Sequence, residues 1–249
     1  MEYTAFAEVY DEFMSNIPYN EWADLIDGRL VKEQKGDRIL ELGCGTGTFT
    51  FLMEEKGYQI TGIDCSKDMV DVARAKARKN RNKSRFLLQD MRMLELNEKF
   101  DCVISICDSM NYMQDLCDLD AVFSSVAKVL DDEGLFLFDM KTEAFFEELG
   151  ENVFTDETEK GDYIWKNFYD KENRDNFYEL SIYVHKKNNL YTKYIEEHLQ
   201  HVFTRSEVVE LARENGFEVI DVVGMDLISP ADYEAERVYY IFKKKEELK

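Results

Sequence analysis

The chain has 249 residues, 45 % of them apolar and 33 % charged, which suits one large soluble domain or one domain carrying a smaller insert. No apolar run approaches the roughly 18 residues of a membrane span, and the opening MEYTAFAEVYDEF lacks the basic and apolar regions of a secretory signal. A formal net charge of −21 argues against generic nucleic-acid binding, and five cysteines without a CxxC pair read as reduced thiols of a cytoplasmic protein.

Two helices, Tyr3–Met14 and Tyr19–Leu30, are expected around Pro18. From about residue 37 to 140, helical and strand periods alternate, the pattern of a parallel sheet with helices on its faces. Arg38–Leu42 is a short apolar strand running into glycines. Thr46–Lys56 follows as a helix with Phe49, Leu52 and Met53 on one face and Gly57 as its stop. Tyr58–Ile63 is the second strand. Ser66 caps a helix striped by Met69, Val72, Ala73 and Ala77. Seven basic residues and no acid lie between Arg74 and Arg85; they read as the solvated end of that helix, with a docking site for an anionic partner as the rival reading. Arg85–Gln89 and Phe100–Ser105 are the third and fourth strands. Leu119, Val122, Phe123, Val126 and Leu130 mark a helix, and Leu135–Met140 the fifth strand.

The pattern then changes. Nine aromatics fall between Tyr163 and Tyr194, in strand-like runs beside the polar turns Asp170–Asn176 and Lys186–Asn189. They predict a small sheet of three antiparallel strands. Thr204 and Glu207 form a capping box ahead of a stripe of Val208, Leu211 and Ala212, with Asn215-Gly216 as the stop. Phe217–Val223 and Val238–Phe242 close the domain. The chain thus divides into an N-terminal helical lid (1–36), a main domain (37–150 and 203–249) and an inserted β subdomain (151–202) over a substrate cavity.

The strongest signal is Ile39-Leu40-Glu41-Leu42-Gly43-Cys44-Gly45-Thr46-Gly47-Thr48-Phe49: an apolar strand, three alternating glycines, then a helix. Glycines let a backbone turn sharply and approach a ligand closely. The spacing departs from G-x-G-x-x-G because the third glycine comes one residue early, and Glu41 would repel a pyrophosphate while suiting an ammonium or sulfonium group. No Gly-Lys-Ser/Thr follows, which excludes a P-loop. Asp64, ending Gly62-Ile63-Asp64, is placed to accept hydrogen bonds from ribose hydroxyls. Asp90 stands where an adenine amino group would donate, with Met91 and Cys65 offering apolar contact to the ring. An aspartate at a strand end is often only a turn or cap residue, and Ser66 competes with Asp64 for that role. Three acids at three successive strand ends would together cradle a cationic adenosyl ligand.

Glu41-Leu42-Gly43-Cys44-Gly45-Thr46-Gly47 resembles motif I of class I S-adenosylmethionine-dependent methyltransferases, with Asp64 and Asp90 matching the ribose and adenine acids of that family. The match covers about 37–140 and, more loosely, 204–243. It implies an α/β, Rossmann-like three-layer sandwich: a seven-stranded, mostly parallel sheet, with one antiparallel strand near the edge and a small antiparallel β insert. The N-terminal helices, with Tyr3, Phe6, Tyr10 and Asp11, and the aromatic insert are similar to a narrower group of YqeM-like, glycine N-methyltransferase-like and aminosugar dimethyltransferase-like enzymes. That resemblance implies that Tyr10 or Tyr19 contacts the methionine end of the cofactor. The implied cofactor set is Tyr10, Glu41, Gly43, Cys44, Gly45, Gly47, Asp64, Cys65, Asp90, Met91 and Cys107, with S-adenosylhomocysteine as product.

Methyl transfer is an in-line displacement in which the protein mainly positions the acceptor and excludes water. Asp108 and Tyr112, after the fourth strand, are the catalytic candidates: they steer an amine or hydroxyl, or Asp108 stabilises an ammonium. The plainer alternative has Asp108 capping the next turn and Tyr112 packing. Trp165, Phe168, Tyr169, Tyr178 and Tyr183 line the cavity or pack against the main sheet or a partner subunit. His185, His198 and His201 are further base candidates. His198 and His201, three apart on a strand, face opposite ways, so a metal site is not expected. Proline occurs only at 18 and 230, so the Asn/Asp-Pro-Pro-Tyr/Phe segment of amino-methylating nucleic-acid enzymes is absent. Cys102 and Cys107 lack the Pro-Cys context of cytosine C5 enzymes. The expected activity is methylation of N or O in a small molecule by a monomer or homodimer. The rivals are a tRNA or protein methyltransferase docking through 74–85, a non-catalytic cofactor-binding protein, and an NAD-dependent dehydrogenase, the last disfavoured by the early third glycine.

Overall fold

The computed structural model describes residues 4–33, 35–232 and 234–246; Tyr3 and the side chain of Phe6 lie outside the described residues. Helices α1 (Thr4–Phe13) and α2 (Tyr19–Lys32) lead into β1 (Arg38–Leu42), α3 (Thr48–Glu55), β2 (Gln59–Asp64), α4 (Lys67–Asn80), β3 (Arg85–Leu88) and β4 (Phe100–Ser105). A 3-10 turn (Ser109–Tyr112), α5 (Leu116–Val129) and β5 (Leu130–Lys141) follow. Next come α6 (Glu143–Leu149), β6 (Val153–Glu157), β7 (Gly161–Asp170), β8 (Asp175–Lys186) and β9 (Leu190–His201). The chain closes with α7 (Arg205–Glu214), β10 (Phe217–Val223) and β11 (Arg237–Lys244).

The main sheet has seven strands in the order β10-β11-β5-β4-β1-β2-β3, parallel except for β11, which runs antiparallel to both neighbours. Strand order reverses between the paired strands β1 and β4, so the connections after them lead off in opposite directions and leave a crevice at the carboxyl ends. Alternating side chains feed two apolar clusters, one on each face. Leu40, Val103, Phe136 and Phe242 pack with Phe123 and Val126 of α5 and Val208 of α7. Ile39, Ile104, Leu137 and Ile241 pack with Trp22 and Ile26 of α2 and Met53 of α3. No helix among the described residues is long and apolar enough to cross a membrane.

Local signals hold where the chemistry is short-range. Ser66 accepts a hydrogen bond from the Met69 amide and caps α4, and Thr204 with Glu207 forms a reciprocal capping box on α7. The insert differs from expectation: it is a four-stranded antiparallel sheet, β6-β7-β8-β9, not three strands. The extra strand, VFTDE, is a short edge with two acids and mostly exposed residues, so it lacks the alternation that marks a half-buried strand. Helix α6, which joins the main sheet to the insert, has no counterpart among the expected elements. Asn111, fully buried in the 3-10 turn, ties the exit and return of the insert together. Its amide nitrogen donates to the Lys141 and His201 carbonyls, and its oxygen accepts from the Lys141 amide.

Candidate active site

The crevice at the β1/β4 reversal is a cavity of about 640 Å³, within the range of small-molecule sites. Its floor is the glycine loop. Gly43, Gly45 and Gly47 all take positive φ (68°, 53° and 82°), a region that other residues rarely adopt. A β-carbon on Gly43 would lie 2.6 Å from Ser109 Oγ, and one on Gly47 would lie 2.8 Å from the Phe86 ring. Gly45 instead faces open space, its nearest neighbour the Tyr10 ring at 4.0 Å. Gly43, Cys44 and Gly45 line the cavity, whereas Gly47 is not on its wall and, at the N-cap of α3, packs closely against Phe86 of β3 and Ala73 of α4.

Glu41, Asp64 and Asp90 all reach this cavity. Glu41 is buried, accepts a hydrogen bond from Thr50 and has its carboxyl pushed up to about 8 by burial, with Asp64 adding to the effect. Asp64 braces the loop: Oδ2 accepts from the Gly45 amide and Oδ1 from the Ser66 amide, each at 2.8 Å. Burial still raises its pKa against those amides. Asp90 is held below the usual carboxylate range by Arg92, which lies 2.6 Å away and also bridges to Asp118 on α5. Cys65 and Met91 line the same end of the cavity.

Helix α1 forms one side of the cavity through Tyr10 and Phe13. Its Asp11 accepts from Thr46 Oγ1 at 2.5 Å and pairs with Lys76 Nζ of α4 at 2.6 Å. Tyr10 and Tyr19 share a hydrogen bond on the cavity wall, and burial raises both hydroxyl pKa values. The Tyr19 hydroxyl also lies 3.9 Å from Cys107 Sγ. Burial pushes the Cys107 thiol up to about 12, so it is not a thiolate nucleophile.

Cys107 and Asp108 follow β4 in adjacent left-handed conformations (φ 61° and 53°), a strained stretch of backbone on the cavity wall. Asp108 does not cap the 3-10 turn through its side chain. Its carboxylate is buried among Arg237 Nη2 (2.9 Å), Gln200 Nε2 (2.8 Å) and Lys141 Nζ (3.3 Å). Burial pushes its pKa up, but Lys141 and Arg237 outweigh that and hold it below the ordinary value. A carboxylate so fully engaged is a poor proton acceptor and a good fixed anion. Arg237 also binds the buried Asp139. Sequence reasoning passed over Arg237 and Lys141, because only the antiparallel register of β11 on β5, which pairs Arg237 with Lys141, brings them into one place.

The inner face of the insert forms the far wall, with Tyr163, Trp165, Tyr178 and His198. Tyr112 Oη lies 2.6 Å from Tyr178 Oη and 3.2 Å from His198 Nδ1. The other aromatics considered for this wall go elsewhere. Phe168 is exposed, Tyr169 stacks on Phe146, and Tyr183 lies under Lys193. His201 bonds Asp175 and His185 pairs with Asp162, so neither joins the cavity. In the basic segment, Arg74 donates to the Phe86 carbonyl, Lys76 to Thr46 and Asp11, and Arg85 to Glu98.

Residues 39–134 match a family model described as a methyltransferase domain. The chain is 34 % identical over 246 residues, 98 % of each chain, to the “Putative methyltransferase YqeM” of Bacillus subtilis (strain 168). Its fold is similar to that of an S-adenosylmethionine-dependent methyltransferase from Clostridium acetobutylicum ATCC 824, with a TM-score of 0.87, 27 % identity and coverage of 98 % and 99 % of the two chains. It also resembles CalS10, an amino pentose methyltransferase from Micromonospora echinaspora, with a TM-score of 0.74 at 17 % identity over 98 % of each chain.

Proposed function

Since the chain belongs to the YqeM-like family of S-adenosylmethionine-dependent methyltransferases, we propose that it methylates a nitrogen or oxygen of a small molecule held between the glycine loop and the insert. The observation that carries this reading is that one cavity joins the glycine loop and its three strand-end acids to the aromatic wall of the insert. The donor set fits the cofactor. Gly45 offers bare backbone with room above it, Asp64 and Asp90 are acids for ribose and adenine, and Glu41 is an acid for an ammonium or sulfonium group. When bound, S-adenosylmethionine supplies a methyl group on a positive sulfur, open to in-line displacement.

The residues around it orient and shield. Tyr10, on a helix clasped through Asp11 and Lys76, and Tyr19, at the start of α2, close the lid (1–36) over the methionine end and keep water out. Asp108, held by Arg237, Gln200 and Lys141, forms a fixed polar corner of the cavity, and Tyr112 offers a hydroxyl for positioning. The insert (151–202) supplies the apolar wall against which an acceptor packs. The amino pentose named for CalS10 suggests an amino sugar or similar polyol as the first class to try. The acidic surface and the internal ties of Arg74, Lys76 and Arg85 favour a small acceptor over tRNA. Five free thiols accord with a cytoplasmic setting.

Calorimetry is expected to show micromolar binding of S-adenosylhomocysteine. Release of that product from S-adenosylmethionine is expected with at least one amino sugar or hydroxylated metabolite in an acceptor panel. Binding without turnover across the panel would favour a cofactor-binding role, and turnover on a transcript alone would favour the tRNA reading.

A further inference from the structure

Glu196 and His198 are two residues apart on β9, so both project from the inner face of the insert. Glu196 is a buried carboxylate, 9 % exposed, and neither of its oxygens has a hydrogen bond among the described residues; Oε2 lies 3.4 Å from His198 Nε2. A desolvated carboxylate is costly unless something positive or protic faces it. The ring hydrogen of His198 therefore belongs on Nε2, toward Glu196. That leaves Nδ1 as an acceptor, 3.2 Å from the Tyr112 hydroxyl. Tyr112 then donates to Nδ1 and accepts from Tyr178, 2.6 Å away. The imidazole plane is fixed by stacking on Tyr178, with ring centres 4.5 Å apart and an angle of 11°.

We propose that Tyr112, His198 and Glu196 form a proton-accepting chain for the methyl acceptor, whose reacting nitrogen or oxygen enters the site with a proton still on it. The proposal rests on the methyl-transfer reading above. The N–H or O–H bond of the acceptor breaks, its electron pair stays on the acceptor atom, and the proton passes to the Tyr112 oxygen. The hydrogen already on Tyr112 moves to Nδ1. His198 becomes an imidazolium facing the Glu196 carboxylate, so the buried pair ends as a neutral ion pair. Tyr112 is the group that touches the acceptor; His198 stores the proton and Glu196 positions and neutralises His198. Asp108 cannot serve in their place, since Arg237, Gln200 and Lys141 already occupy its oxygens.

The test is imidazole nitrogen NMR on the full-length protein, with the His198 signals assigned by His198→Asn and with His185 and His201 as internal references. A single Nε2–H tautomer is expected for His198. Glu196→Leu should lose that single-tautomer signature and give a mixture, while Tyr112→Phe should keep Nε2–H and shift the Nδ1 resonance as its donor is removed. An Nδ1–H imidazole in the unmodified protein overturns the chain, as does a Glu196→Leu spectrum superimposable on it. Calorimetry with S-adenosylhomocysteine separates the two levels of failure. Variants that bind it with unchanged Kd are folded, so a wrong tautomer then condemns the proton chain alone, whereas an unmodified protein that binds none condemns the methyltransferase reading.

Discussion

Glu41 makes the site sensitive to pH in a way that can be signed. Its ordinary value is 4.5 and burial lifts it to about 8. Between those values the unfolded chain has released a proton that the folded chain keeps, so stability falls as pH rises through this window. Thermal unfolding from pH 5 to 8 should show a declining Tm for the native protein and a shallower decline for Glu41→Gln; equal slopes would exclude Glu41 as the source. A cation arriving beside Glu41 favours the ionised form. Binding of S-adenosylhomocysteine, which carries an ammonium, should therefore release protons near neutral pH and give a heat that depends on the buffer, an effect Glu41→Gln abolishes. Asp64 acts by geometry. Removing it frees the Gly45 and Ser66 amides, so Asp64→Ala should weaken that binding about tenfold or more, about 1.4 kcal/mol, and lower stability by about 1–2 kcal/mol.

Among elements, α1 is held by contacts distinct from those of the central sheet. Ala7 and Val9 pack on Ile182 and Val184 of the insert and Met69 of α4, and Asp11 pins the helix to the glycine loop and to Lys76. Because Asp11 is 44 % exposed, that pair contributes no more than about 1 kcal/mol. Asp11→Ala should speed amide hydrogen exchange in α1 while β1 and β4 stay protected; uniform protection in both proteins would deny the clasp. Within the insert, Asn167 and Asn176 exchange side-chain hydrogen bonds at 2.9 Å while buried. Asn176→Ala leaves Asn167 Oδ1 without its donor, while Asn167 still donates to the Gly150 carbonyl, and should lower stability by about 1–3 kcal/mol, read as a drop in Tm. Elements with a local code were legible in the sequence, as Ser66, the Thr204–Glu207 box and the glycine loop show. The code fails where pairing decides: β6 is a strand because β7 offers it an edge, and Arg237 reaches the cavity because β11 enters against the direction of β5. The acids of the site were legible because each stands at or near the carboxyl end of a strand: Glu41 one residue before the end of β1, Asp64 at the end of β2 and Asp90 just past β3. The pair Glu196 and His198 stood in the sequence two residues apart, but the turn that brings Tyr112 to them is 86 residues away from His198.

For the molecule as a whole, a net charge of −21 means that the folded surface repels itself. Moderate salt should therefore raise Tm by screening; a Tm that falls on adding sodium chloride would mean that ion pairs outweigh the repulsion. The same field argues that anionic polymers are poor ligands, and binding to a transcript should be weak even at low ionic strength. Buried Asn111 grips the chain as it leaves β5 and again as it completes β9. That stitch fixes where the insert starts and ends on the main sheet, whatever strands lie between. The outer strand β6, which pairs only with β7, should tolerate lengthening or reshaping, whereas β8, whose Ile182 and Val184 hold α1, and β9, whose Gln200 holds Asp108, stay tied to the glycine-loop side.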